Sequence, residues 1–257
     1  MPILSITGIF NPQILTVDKD FLIIYKPPRM HSAPLASSAG ETILDWCAAQ
    51  FPEIMDLPGR RAGEGGLLHR LDFETQGLML FARTKSGMEA LAAQQQEGKI
   101  QKEYSALACE GKMALPGFPG ERPELPARFF EAEGRGPLII QSAFRAYGPG
   151  RKAVRPVLND KQTCERDKLY TTEILKGHYD SVPGILSFRL GIAKGFRHQI
   201  RCHLAWLNIP ILNDSLYGGR LHGKGLLALR ACSLSFTDPS SGKEMNYSIP
   251  SLEWDEI

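Results

Sequence analysis

His69-Arg70-Leu71-Asp72-Phe73-Glu74-Thr75-Gln76-Gly77 leads directly into the apolar run Leu78-Met79-Leu80-Phe81-Ala82. The apolar run reads as a buried strand, and the polar stretch before it as the loop at the strand's mouth. A carboxylate in such a loop is held still by the strand, and a basic pair beside it favours the ionised form. Asp72 is therefore a candidate nucleophile or base. The competing reading is an aspartate that only caps a surface turn. A second basic block far downstream, Gly195-Phe196-Arg197-His198-Gln199-Ile200-Arg201, weighs against it.

Working outward, Leu22-Ile23-Ile24-Tyr25 reads as a short strand stopped by Pro27-Pro28. Thr42 is placed to cap a helix that buries Ile43, Leu44, Cys47 and Phe51 on one face. Residues 86–97 read as a helix closed by Gly98. Residues 102–109 alternate as a strand, with Tyr104, Ala106 and Ala108 on one face. Residues 110–137 carry Pro116, Pro119, Pro123 and Pro126 with five glycines, and so read as an irregular insertion. A strand is expected over 138–144, then a turn at Tyr147-Gly148-Pro149-Gly150. Residues 169–175 and 185–190 read as a strand pair. Residues 198–207 read as a helix with Ile200, Leu204 and Leu207 facing inward, and 226–236 and 244–249 as closing strands. Strands outnumber helices and follow one another in sequence. The expectation is an α+β fold in one domain, with a long mixed, mostly antiparallel sheet flanked by helices.

The chain has 257 residues, 43% hydrophobic and 23% charged, which is ordinary for a soluble globular protein. No apolar run is long enough to cross a membrane. The first residues lack the basic start and apolar core of a secretory signal, so a cytoplasmic protein with no membrane partner is expected. Five scattered cysteines (47, 109, 164, 202, 232) have no zinc or redox spacing and read as reduced thiols. His198 and His203 are too far apart to share a helix face as metal ligands, and no metal is expected. The net charge of +2 does not announce nucleic acid, but the cations are grouped. Arg60, Arg61 and Arg70 form one group, Arg151, Lys152 and Arg155 a second, and Lys194, Arg197 and Arg201 a third. Taken singly, each group reads as a solvated loop. Converging on one cleft, they would attract phosphates.

His69-Arg70-Leu71-Asp72-x-x-Thr75-x-Gly77, Tyr104 following Lys102, and His198-Gln199-Ile200-Arg201-x-His203-Leu204 together resemble the pseudouridine synthases of the ribosomal large-subunit type. Lys26-Pro27-Pro28 resembles that family's early Lys-Pro turn. Pro210-Ile211-Leu212-Asn213-Asp214-x-x-Tyr217-Gly218 resembles its later Pro-Ile-x-x-Asp-x-x-Tyr-Gly segment. The resemblance implies a catalytic domain over 18–257, with the insertion at 110–137 and residues 1–17 as a lead-in. It implies isomerisation of uridine in RNA, without cofactor or metal. Asp72 would be the catalytic carboxylate, acting at the anomeric carbon or on a proton of the neighbouring ribose carbon. Arg201 would pair with it and keep it ionised. Tyr104 would stack on the target base and take part in proton movement. His69 and Arg70 would contact RNA or shape the loop that carries Asp72, and His198 and Gln199 would support the site by hydrogen bonds. RNA contacts are expected from Arg60, Arg61, Arg151, Lys152, Arg155, Lys194 and Arg197.

The chain departs from the family pattern at several positions. Gln76 stands for the usual Ser, Arg29 and Asn213 for Gly, and Arg230 for His, and the basic residue of the second block is moved by one at Phe196-Arg197. These leave Asp72, Tyr104 and Arg201 in place but weaken any transfer of a particular target uridine. With so short a lead-in, no separate N-terminal RNA-binding domain is expected, and recognition would fall to the catalytic domain and its insertion. The expected substrate is a uridine in structured RNA, large-subunit rRNA first and tRNA second, bound by a monomer. A catalytically silent RNA-binding relative would be favoured by loss of Asp72, which is present. A hydrolase using Asp72 with Glu74 would need two carboxylates across one bond, and residues two apart on a turn diverge.

Overall fold

The computed structural model describes residues 3–35, 40–59, 61–111, 115–126, 136–158, 168–180 and 182–257. The chain divides into two compact units. The first comprises Met1–Lys102 with Arg230–Ser251, and the second Glu103–Leu229 with Leu252–Ile257.

In the first unit, β1 (Gln13–Val17), β2 (Phe21–Lys26) and β3 (Gln76–Ala82) lie side by side in antiparallel pairs. The edge of β3 continues in parallel onto β9 (Leu229–Thr237) at Gln76↔Arg230 and Gly77↔Ala231, and β10 (Glu244–Ser248) pairs antiparallel with β9. Every residue of β2 and of β3 is buried. That explains why both read as unbroken apolar runs rather than alternating ones. Gly77 is obligatory at the parallel contact. Its φ is +126°, and a Cβ there would lie 2.2 Å from the carbonyl oxygen of Ala231.

Among the described residues, two α-helices belong to this unit. α1 (Ile43–Ala48) begins at Thr42, whose hydroxyl accepts the Asp45 N–H while the Asp45 carboxylate accepts the Thr42 N–H. Such a reciprocal cap contributes about 1 kcal/mol. α2 (Lys85–Glu97) is capped by Thr84 and closed by Gly98 at φ +77°. Its Met88 and Leu91 pack into a core with Phe21, Ile23, Tyr25, Leu78, Leu80 and Phe236.

The second unit is built on the strand order β4 (Gln101–Cys109), β8 (Ile185–Ile192), β7 (Tyr170–Tyr179), β5 (Leu138–Tyr147) and β6 (Ala153–Val157). The expected pair is the antiparallel β7–β8, and β5 and β6 form a hairpin whose tip is Gly148–Lys152. α3 (Gln199–Trp206) is buried along its whole length. Its Cys202 and Ala205 pack with Phe144, Val154 and Tyr217.

The architecture is α+β with mixed, mostly antiparallel pairing, as expected. Two strands, β1 and β6, were not anticipated. β1 is short and half-buried, with a register shift between Ile14 and Thr16, so it shows no clean alternation. β6 contains Pro156, which cannot donate to a ladder and argues against a strand. It is tolerated because, among the described residues, β6 ends the strand order and pairs only with β5. The described parts of the 110–137 insertion carry no helix or strand. Among the described residues no helix is long and apolar enough to cross a membrane.

Candidate active site

Asp72 lies at the mouth of β3, half-buried, in a loop gripped from the segment that follows β2. Ser32 Oγ donates to the Leu71 carbonyl at 2.8 Å and accepts the Leu71 N–H at 3.0 Å. On the other side of Asp72, the Phe73 carbonyl accepts the Met30 N–H at 3.2 Å and the Lys26 ammonium at 3.4 Å. The Thr75 N–H closes the turn onto the Asp72 carbonyl at 3.1 Å. The backbone is therefore tied on both flanks of the carboxylate, as a group that must act in one geometry requires.

Lys26 is buried, and its ammonium also donates to the carbonyls of Pro27 and Met30, each at 2.8 Å. Burial lowers its pKa to about 7, while the charge of Asp72 pulls the other way. The early Lys-Pro turn thus places a cation in the electrostatic neighbourhood of Asp72. His69 is 8% exposed, and its Nε2 accepts the Leu80 N–H at 3.2 Å, so its ring shapes the loop from within. The Arg70 side chain is 41% exposed and stands 3.5 Å from Glu64.

Arg201 belongs to the second unit. It projects from α3 and is 3% exposed. Its Nε and Nη2 meet Asp214 Oδ2 and Oδ1 at 2.7 and 2.8 Å, a two-pronged ion pair. Its guanidinium carbon lies 5.6 Å from the Tyr217 ring centroid. His198 starts the helix at φ +56°, with Nδ1 3.3 Å from the Tyr217 hydroxyl. Burial, reinforced by the Arg201 and Arg197 cations, holds its pKa near 3, so the ring is neutral. Gln199 bonds the Thr171 carbonyl and the Thr172 hydroxyl and receives the Phe196 N–H. His203 sits between the hydroxyls of Ser142 and Thr172, and burial lowers its pKa to about 3. Tyr104, on β4, is 5% exposed.

Three comparisons bear on this arrangement. The family model for RNA pseudouridylate synthase matches residues 20–206, a span that contains Asp72, Tyr104 and Arg201. The chain belongs to the RNA pseudouridylate synthase family. Among curated proteins, the ribosomal large subunit pseudouridine synthase D of Pasteurella multocida is 28% identical over 94% of this chain and 69% of its own length. The Yersinia pestis protein of the same name is 28% identical over 91% of this chain and 65% of its own. The chain thus spans about two thirds of such relatives. Among solved structures, Human RNA Pseudouridylate Synthase Domain Containing 1 aligns with a TM-score of 0.60 at 20% identity, over 96% of this chain and 86% of that one. Human RNA Pseudouridylate Synthase Domain Containing 4 aligns with a TM-score of 0.60 at 18% identity, over 94% and 89%.

Within this pseudouridylate synthase the departures from the family pattern have local explanations. Arg29 and Asn213, which replace glycines, sit at φ +60° and +64°, so the turn geometry is kept without the glycine. Gln76 and Arg230 touch: the Arg230 Nη2 donates to Gln76 Oε1 at 3.1 Å, and the Tyr25 hydroxyl donates to the same oxygen at 2.6 Å. Both replacements are fully buried and face each other across the β3–β9 register, so each supplies the other's partner. Phe196, in the shifted second block, stacks on Phe144 with ring centroids 5.1 Å apart.

Of the predicted RNA-contacting cations, Arg60 lies outside the described residues, and Arg61, Arg151, Lys152, Lys194 and Arg197 are exposed. Arg197 reaches back to the carbonyls of Arg151 and Ala153 at 2.8 and 3.2 Å, which brings the second and third groups together at the β5–β6 hairpin. Arg155 donates to the Gly117 carbonyl at 2.7 Å and lies over Tyr147. Sequence reading gave no role to two residues that hold candidate site residues in place. Ser32 gives no signal, because one serine among loop residues has no pattern. Asp214 was visible within a matched segment but carried no role.

Proposed function

We propose that this chain converts uridine to pseudouridine in large-subunit rRNA, tRNA being the alternative target. The family supplies the reaction class. The rRNA target is supported by the names of the curated relatives. The observation that carries the residue assignment is the Asp72 loop, tied on both flanks by Ser32, Met30 and Lys26 within the matched span. In this reading Asp72 acts at the ribose, at C1′ or on the C2′ proton. The detached uracil turns and rejoins through C5. Arg201 holds the Asp72 carboxylate ionised, and Tyr104 stacks on the base and moves the C5 proton. His198 and Gln199 hold the start of α3. No metal or cofactor takes part, residues 18–257 form the catalytic domain, and the protein works as a monomer in the cytoplasm.

The target nucleotide has to leave its stack to reach Asp72, at a cost of a few kcal/mol, which favours loops and bends in the RNA. A positive track of phosphate contacts would hold the RNA meanwhile. Residues 136–158 support this. They carry Arg145, Arg151, Lys152 and Arg155 and no acidic residue. Arg145 and Arg155 stand opposite each other in the β5–β6 register, which gathers two of these cations on one hairpin. Lys194 and Arg197 extend the track, and Arg60, Arg61 and Arg70 are further candidates for phosphate contacts. The experiment is a pseudouridine map of all RNAs in cells with and without this protein. Loss of one or a few rRNA sites is the expected result. Unchanged rRNA with lost tRNA sites would move the substrate to tRNA, and an unchanged map would reject the activity.

A further inference from the structure

Asp214 takes no part in the reaction as proposed, yet the loop around it is built to fix its carboxylate. Asp214 is fully buried. Its Oδ1 accepts the N–H groups of Leu216 and Tyr217 at 3.2 Å as well as the Arg201 Nη2 at 2.8 Å. Its carbonyl accepts the Gly219 N–H at 2.8 Å. Gly219 cannot be replaced: a Cβ there would lie 1.9 Å from the Ile211 carbonyl oxygen. Asn213, just before it, is locked at φ +64° by bonds from its amide to the Leu226 carbonyl and from the His222 N–H to its oxygen. Tyr217 closes the socket. Its hydroxyl accepts the Val154 N–H and donates to the Val154 carbonyl, and its ring lies against the guanidinium.

We propose that Asp214 is a positioning residue for catalysis: it grips the Nε–Nη2 edge of Arg201 and so fixes that guanidinium in one orientation. This rests on the reading of Arg201 as the partner of Asp72. An arginine on a helix has four rotatable side-chain bonds, and a fork against a fixed carboxylate removes that freedom before the substrate arrives. A guanidinium fixed in advance needs no reorganisation when charge develops beside it. Lysine cannot replace it, because an ammonium is a point charge that makes no fork. The neutral His198 adds no competing charge to the socket.

The test uses the full chain and an rRNA transcript that the wild type modifies, under single-turnover conditions with RNA affinity measured separately. Asp214→Asn should lower the rate at saturating RNA by roughly 100-fold, the cost of a small misplacement of a reacting group, and leave RNA affinity unchanged. The double variant Asp214→Asn with Arg201→Met should be no slower than Arg201→Met alone, because the two act as one unit. A folded Asp214→Asn protein with the wild-type rate, beside an inactive Arg201→Met, would overturn the inference and leave the role of Arg201 standing. A fully active Arg201→Met would remove that role and the inference with it. Should Asp214→Asn fail to fold, Arg201→Lys decides: a rate as low as that of Arg201→Met supports the fork, and a rate near wild type overturns it.

Discussion

Ser32 holds both backbone groups of Leu71, donating to the carbonyl and accepting the N–H through a single hydroxyl. Leu71 is the residue before Asp72, so the clamp fixes the entry of the chain into the candidate catalytic position. Ser32→Ala leaves two buried backbone groups without that partner, a loss of about 1–3 kcal/mol. The same change should slow pseudouridine formation by roughly 10- to 100-fold, because the carboxylate is then held less firmly. RNA affinity should not move. Urea denaturation and single-turnover rates on the purified variant check both parts. A stable, fully active Ser32→Ala protein would show that the clamp is dispensable.

Lys26 makes folding stability depend on pH. Its folded pKa is about 7, lowered first by burial. An unfolded lysine titrates near 10.4. Between these values the unfolded chain binds a proton that the folded one does not, so stability rises with pH by up to about 1.4 kcal/mol per unit. That contribution is complete above the unfolded value and is lost as pH falls to the folded one. Lys26→Met removes it. From pH 7 to pH 9 the wild type should therefore gain about 2 kcal/mol relative to the variant. Parallel pH dependences in the two proteins would show that Lys26 keeps its proton throughout.

Much of this was legible from residues alone, for identifiable reasons. Fully buried strands such as β2 and β3 announce themselves as apolar runs, and α2 is closed by the glycine stop at Gly98. β6 was not legible because Pro156 argues against a strand unless the edge position is known. The candidate residues Asp72, Tyr104 and Arg201 stood out through the resemblance to the family's motifs. Partners that depend on the fold did not. Ser32 reaches Leu71 across 39 residues and Arg201 reaches Asp214 across 13, and neither pairing follows from local periodicity. Gln76 and Arg230 looked like two unrelated departures until the β3–β9 register put them opposite each other.

Arg151 and Lys152 stand at the exposed tip of the acid-free hairpin. Replacing both by alanine should weaken binding to all RNAs alike, since phosphate contacts carry no sequence information. The slope of log affinity against log salt should flatten by roughly 1.4 to 1.8, two cations each releasing counterions. Turnover at saturating RNA should be unaffected. Unchanged affinity with an unchanged salt slope would assign this tip to solvent.

The central claim is that Asp72 is the group that carries out the isomerisation. The most direct measurement is pseudouridine formation by purified Asp72→Asn on an rRNA transcript that the wild type converts, with RNA affinity and folding monitored in parallel. A neutral amide cannot serve as nucleophile or base. The account predicts a folded protein that binds the RNA as wild type does and forms no detectable pseudouridine. Formation at a rate comparable to wild type would contradict it.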